Sequence, residues 1–334
     1  MALFLKEADV KELLNMKDAL ELVESAMAEH GSGAATNVPR EVLRADGASL
    51  SILPGAVPSL ASLGFKAYTT CRDGVRFWVF LFGTDGELKA IMEAEHLGMV
   101  RTGAASGVAT KYLSREESDT VAILGTGYQA PAQLEAVCAV RPVERVKAFS
   151  RTRANLQRFC GEMAAKLGVP VEPSEDAESA VRDADIVITI TSSKEPVLFG
   201  RWLKPGVHLN LAGAMKPSSR EVDDATLARA ARLVVDDWSQ SHREAGELIE
   251  AASQGVVSWS DVRELSAVVA GSVQRRESSH DITLFKSHGI GLWDVAVAAH
   301  VHEVALARQV GATLPIEQAP IVLGGGKDPD RLKV

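Results

Sequence analysis

The sequence predicts an α/β protein: a Rossmann-type doubly wound parallel sheet joined to a second α+β domain built on an antiparallel meander. Three observations carry this. Asp-Gly pairs punctuate β-rich runs three times between residues 40 and 93. A glycine-rich turn joins an apolar strand to a helix within 119–140, and strand and helix patterns alternate from there to 236. The 334 residues exceed what one core usually fills, so two domains are expected.

In chain order, residues 16–30 place Ala19, Leu20, Val23, Ala26 and Met27 on one helical face, with Asn15 as cap and Gly31 as stop. Asp46-Gly47 lies between strand-like runs 40–44 and 49–53. Asp73-Gly74 separates 63–72 from 75–83, and Asp85-Gly86 separates that run from 87–93. Both residues of such a pair tolerate positive φ, which makes it a hairpin signal. Three of them predict an antiparallel meander and exclude a parallel sheet from this third of the chain. A helix follows over 95–113, crowded with Gly98, Gly103, Ala104, Ala105, Ser106, Gly107 and Ala109. Glycine costs a helix up to about 1 kcal/mol relative to alanine, so the crowding points to close backbone approach.

From 119, DTVAIL leads into Gly125-Thr126-Gly127-Tyr128-Gln129-Ala130 and then the helix-like QAPAQLEAVCAV. This is G-x-G-x-x-A in the strand–turn–helix setting that a dinucleotide site requires. Gly125 permits the tight turn, Gly127 the approach of a pyrophosphate and Ala130 close helix–strand packing. Pro131 falls in the first turn, where a missing N–H costs nothing, and the helix N-terminus turns its N–H groups toward phosphate. Strands are expected at 145–150, 169–173, 185–191, 208–212 and 232–236, with helices at 153–166, 176–183 and 223–231. Thr191 and Ser192 end the fourth strand, where a doubly wound sheet places cofactor contacts. After the second strand an NAD site usually presents an acid to the ribose; here stand Ser150, Arg151 and Thr152. A carboxylate would repel a 2′-phosphate and Arg151 would bind one. NADP(H) is therefore the expected cofactor, with NAD(H) as the alternative. The plainer reading makes Arg151 and Arg153 solvated residues at a helix start.

Lys and Arg number 36 against 44 Asp and Glu, a net charge of −8 that disfavours nucleic acid as a partner. No apolar run approaches the ~18 residues of a membrane span, so no membrane partner is expected. MALFLKEADVKELL lacks the apolar core of a signal peptide. Cys71, Cys138 and Cys160 are odd in number and follow no metal-ligand spacing, as suits a reduced, cytoplasmic protein. His300 and His302 stand two apart on a helix and point apart, so no metal site is expected. Asp236 and Asp237 end the sixth predicted strand, where capping and cofactor-loop roles are both open. The glycine-rich, then charged tail 321–334 reads as a mobile end.

The stretches GFK (64–66), RTGAAS (101–106), GTGYQA (125–130), TSSKEPV (191–197), REVD (220–223) and TLFKSHGIGLWD (283–294) resemble the ornithine cyclodeaminase/mu-crystallin family over nearly the whole chain. The resemblance implies a substrate-binding and dimerisation domain, 1–115, completed by C-terminal helices 295–320. It implies a Rossmann domain over 116–294, a homodimer, and an α-amino or α-imino acid whose Cα exchanges hydride with a nicotinamide. Arg101 and Arg40 become the substrate-carboxylate clamp, Lys66 meets the Cα substituent, and His288 lies beside the nicotinamide.

The residues can also be weighed alone. Arg101 has Leu97, Gly98, Ala104 and Ala105 as its i±3 and i±4 neighbours. A guanidinium there is costly unless paired, and its planar fork suits a carboxylate. The rival is a stem that covers the stripe while its head reaches water. Lys66 shares a strand face with Gly64 and Tyr68. In a dry pocket its pKa can fall far enough for proton transfer; otherwise it is an edge-strand guard. Arg40 without the resemblance would be a solvated strand-edge residue.

One position departs from the family pattern. Cyclodeaminases carry an aspartate after the fifth strand, and six residues before Glu221 this chain has Met215. A thioether cannot carry the proton that ammonia loss requires. Reduction of an α-imino acid to the L-amino acid is therefore favoured over cyclodeamination of ornithine or lysine. A mu-crystallin-like nucleotide-binding protein with little catalysis is the third reading.

Overall fold

The computed structural model describes residues 2–317, so the predicted tail lies outside the described residues. The chain opens with β1 (Leu3–Leu5), α1 (Glu7–Leu13), α2 (Met16–Gly31) and β2 (Thr36–Asn37). Asn15 caps α2 by accepting the Asp18 N–H at 3.0 Å, and Ala19, Val23, Ala26 and Met27 are buried beneath it. The meander follows: β3 (Glu41–Ala45), β4 (Ala48–Val57), β5 (Ser62–Cys71), β6 (Gly74–Gly83) and β7 (Leu88–Glu93). Every pairing among these five strands is antiparallel, and Gly47, Gly74 and Gly86 take the positive φ that their turns need. Parallel pairing is not excluded from the sheet, however. β1 lies parallel to β7, with Leu3 opposite Ala90. At three residues it is too short to show a period.

A long helix, α3 (Glu95–Leu113), leads into the second sheet. There β8 (Thr120–Leu124), α4 (Ala130–Val140), β9 (Arg145–Phe149), α5 (Arg153–Leu167), β10 (Val171–Pro173), α6 (Ala177–Val181), β11 (Ile186–Thr189) and β12 (His208–Leu211) alternate. After them come α7 (Asp224–Arg229), β13 (Ala230–Val235), α8 (Trp238–Glu244), α9 (Gly246–Ser253), β14 (Val262–Glu264), α10 (Leu265–Val269) and β15 (Ile282–Lys286). The strand order is β10-β9-β8-β11-β12-β15-β13-β14, all parallel, with the reversal of winding between β8 and β11. The run 232–236 is thus not next to β12. β15, absent from the predicted strands, inserts between them; it is buried throughout and ends on Lys286, so it lacks both alternation and a purely apolar signature.

The chain closes with α11 (Gly291–Arg308) and β16 (Ala312–Thr313). Of the C-terminal helices expected over 295–320, the described residues hold this one helix, which ends at Gln309 in the left-handed region, and β16 returns antiparallel to β1. α11 lies on the inner face of the meander and shares one core with α1, α2, α3 and α10. Separate apolar clusters fill the two faces of the parallel sheet. The small residues of α3 permit the contact that joins the halves: a Cβ on Gly103 would collide with the Ala132 carbonyl of α4, and one on Gly107 with Leu20 and Ala136.

Candidate active site

The fold brings the predicted substrate residues together. Lys66 projects from β5 onto the buried face of the meander, Arg101 comes from α3, and Arg40 immediately precedes β3; all three are buried. They meet the loop 287–290, which leaves the C-terminal end of β15, and the start of α11. Asp294 of α11, fully buried, accepts from Arg101 Nε at 2.9 Å, and its same oxygen lies 3.7 Å from Lys66 Nζ. Arg40 donates to Glu244 at 2.9 Å and to the carbonyls of His288 and Gly289 at 2.6 and 3.3 Å. Gln240 braces the same point, accepting the Arg40 N–H at 3.2 Å and donating to Glu244 and the Gly289 carbonyl. Both arginines converge on Gly289, where φ is +80° and a Cβ would fall on the Arg101 guanidinium.

The cluster is buried and cationic. Burial pushes the Lys66 ammonium down from 10.5 to about 8; Asp294 opposes that shift, while Arg101 and Arg40 reinforce it. Phe77 faces Lys66 Nζ at 4.9 Å and Trp293 faces Arg101 Cζ at 5.6 Å. Gly98 clears the space for the lysine, since a Cβ there would meet Nζ. Arg101 Nη1, Arg40 Nε and Asp294 Oδ2 are buried without a protein partner.

The dinucleotide motif adjoins this cluster. Gly125 has φ +106°, and a Cβ on it would strike the Ile190 carbonyl, so the turn and the next strand both require glycine. Around Gly127 a Cβ would meet nothing, which leaves an open cradle at the N-terminal end of α4. Ala130 is fully buried, and the Thr126 hydroxyl is buried without a partner, a donor available to an anion. These features fit a bound pyrophosphate. Tyr128, half exposed, donates from its hydroxyl to the Glu95 carbonyl at 2.9 Å and so ties the motif to the start of α3.

Across the switch in winding, Glu221 gathers two loops. It accepts from Thr191 N and Oγ1 at 2.7 Å each and from Gly213 N and Ala214 N at 2.8 and 3.1 Å. Lys286, fully buried, pairs with Glu247 at 3.0 Å and donates to the Ala214 carbonyl at 2.5 Å. Ser192 and Met215 stand exposed on these loops. Ser150 is half-buried and Arg151 and Thr152 are exposed just past β9. Asp236 accepts from the N–H groups of His288 and Gly289 at 2.6 and 2.7 Å and from Ser287 at 3.2 Å. Burial opposes ionisation there, but the His288 ring, together with the N–H groups of His288 and Gly289, outweighs it and holds the Asp236 pKa below the usual carboxylate value. His288 packs its ring beside Asp236, with Nε2 buried and unpartnered. Asp237 caps α8 through Gln240 N. His300 pairs with Asp18 and His302 is buried, and among the described residues no group of three His, Cys, Asp or Glu is placed to hold a metal ion.

Asp294, Gln240, Glu244 and Glu221 were absent from the predicted site. Asp294 carried a signal: a lone acid in the apolar run Gly291-Leu292-Trp293-Asp294-Val295-Ala296 must find a cation if that helix is buried. Gln240 and Glu244 carried none, because only the tertiary fold brings α8 to Arg40.

Fold and site together define a nicotinamide-dinucleotide oxidoreductase acting on carbon–nitrogen bonds. More particularly, the chain belongs to the ornithine cyclodeaminase/mu-crystallin family, whose model matches residues 1–309. It is 34% identical to a Δ1-pyrroline-2-carboxylate reductase of Bacillus cereus over 313 residues, covering 90% of this chain and 96% of that one. Among solved structures, Thermococcus litoralis Δ1-pyrroline-2-carboxylate reductase in complex with NADH and L-proline superposes with a TM-score of 0.89 at 33% identity, covering 93% and 100% of the two chains. An archaeal alanine dehydrogenase dimer with bound NAD gives 0.89 at 32% identity, covering 95% and 99%.

Proposed function

We propose that this chain reduces an α-imino acid to the L-amino acid with NADP(H) as its preferred cofactor. One observation carries the reading. Three buried cations, Arg40, Lys66 and Arg101, face two carboxylates, Asp294 and Glu244, next to the helix of the dinucleotide motif. The surplus positive charge and the unpartnered Arg101 Nη1 call for an anion of about carboxylate size.

In this scheme Arg101 and Arg40 hold the substrate carboxylate, which fixes Cα and the imine nitrogen beside it. The Lys66 ammonium donates its proton to that nitrogen. The nicotinamide, when bound, supplies hydride to Cα. The Gly125–Ala130 turn would hold the phosphates. The Glu221-tied loops of Thr191, Ser192 and Met215, and His288, would hold the nicotinamide end of the cofactor. Met215 offers no base, so loss of ammonia lacks a proton acceptor there. The preference for NADP(H) rests on Ser150, Arg151 and Thr152 with no acid after β9.

The outer face of the meander supports a homodimer. Phe65 stacks on Phe80 at 4.9 Å, Phe82 lies 6.3 Å away, and Leu63 is exposed beside them. An apolar sheet face of this kind is an interface to a second copy. Phe80→Glu should yield a monomer by light scattering. The same scheme assigns 1–115, completed by the C-terminal segment 295–320, to substrate binding and dimerisation, and 116–294 to the dinucleotide. Its free cysteines suit the cytoplasm, and no described helix is long and apolar enough to cross a membrane.

The test is NADPH oxidation with Δ1-pyrroline-2-carboxylate, Δ1-piperideine-2-carboxylate, and pyruvate plus ammonia. Turnover of at least one supports reduction. Tight NADPH binding without turnover would select the nucleotide-binding reading, and ammonia from ornithine without net oxidation would select cyclodeamination.

A further inference from the structure

We infer that Asp294 is the positioning residue of this site: one carboxylate oxygen both keeps Lys66 an acid and turns the Arg101 fork toward the substrate. The inference rests on the imine-reductase reading above. Asp294 stands in the first turn of α11, fully buried, where the helix N-terminus favours an anion. Its Oδ1 takes the Nε–H of Arg101, the inner edge of the guanidinium. The terminal nitrogens are thereby left free of Asp294, beside the space at Gly289, and Nη1 is buried with no protein partner. Trp293 covers the guanidinium face and Gly289 leaves room at its end, so the fork has one orientation.

The groups around Lys66 make Asp294 its electrostatic counterweight. Asp294 faces it from α11, Arg101 from α3, Arg40 from ahead of β3 and the Phe77 ring from β6. Among the charged groups acting on the ammonium, Asp294 is the anion and both arginines push the proton off. The acid therefore depends on a carboxylate whose Oδ1 is already engaged by Arg101. Asp294→Asn keeps an acceptor for Arg101 Nε but removes the charge, whereas Asp294→Ala removes both.

Lysine-selective nitrogen NMR reads the Lys66 titration directly and needs no turnover. The wild-type midpoint near pH 8 should fall by about one unit or more in Asp294→Asn. The alkaline limb of kcat/KM for the imino acid should move by the same amount, with KM within about twofold of wild type. Asp294→Ala should add a rise in KM of about tenfold or more, and Asp294→Glu should restore part of the limb. An unmoved Lys66 midpoint in Asp294→Asn overturns the inference whether or not the wild type reduces imino acids. Absent turnover with a shifted midpoint refutes the reductase reading and leaves the coupling standing. Should the variants not fold, the Asn and Ala pair is repeated in the Lys66→Met background, which strands one cation fewer. There, a KM ratio of about tenfold supports the role in orienting Arg101, and equal values overturn it.

Discussion

Replacing Gly98 by alanine sets helix stability against the position of the reacting lysine. Gly98 lies in the first turns of α3, and the added Cβ would fall on Lys66 Nζ, 3.5 Å from its Cε. In a helix, alanine is favoured over glycine by about 0.8–1.0 kcal/mol. The obstacle is the end of a flexible side chain, so the ammonium swings aside instead of the backbone. Stretching its 3.7 Å separation from Asp294 to about 5 Å forfeits about 1.2 kcal/mol at an effective dielectric of about 20. The two effects nearly cancel, and Tm should move by no more than about 3 °C. Turnover should not be spared, because a displacement of about 1 Å at a reacting group costs up to about a hundredfold. Differential scanning fluorimetry and steady-state NADPH oxidation measure both quantities on one preparation. A variant with wild-type kcat would refute the placement of Lys66 at the reacting atoms. A fall in Tm of about 10 °C would show that the space around Gly98 is set by backbone.

Four further outcomes follow from the two sites. Lys66 is the acid only while protonated, and its pKa near 8 means that kcat/KM stays level below that pH and falls about tenfold per unit above it. Lys66→Arg, which keeps its proton throughout, should lose that limb in a pH–rate profile. Gly127→Ala should leave Tm unchanged and weaken dinucleotide binding by about tenfold or more by titration calorimetry, since its Cβ meets no protein atom but fills the cradle. Gly125→Ala should destabilise the fold itself, because its Cβ strikes the Ile190 carbonyl at a positive φ. Arg151→Asp should lower the ratio of NADPH to NADH efficiency by about tenfold or more, measured as kcat/KM for each.

What the sequence disclosed and what it hid divide along the range of the interaction. Asp-Gly turns, the Asn15 cap and the glycine motif act within a few residues, and they appear where the pattern places them. The small residues of α3 announced close approach, and α4 and α2 supply it. β1 escaped because three residues are too few to show a period, and β15 because a fully buried strand carries no alternation. In the site, the three cations are recognisable by residue type and family pattern, but their anions come from α8 and α11, far away in sequence. Gln240 and Glu244 reach Arg40 across about 200 residues. That distance is why a buried cation can be suspected from its neighbours while its partner cannot be named.

Discrimination for the carboxylate is the most direct measurement. The wild type should reduce Δ1-pyrroline-2-carboxylate about a hundredfold to a thousandfold more efficiently than 1-pyrroline, which lacks the acid group. Arg101→Ala should remove most of that preference and leave 1-pyrroline turnover little changed. If the variant kept the preference intact, or if the wild type never had it, the buried arginines would not be gripping the substrate.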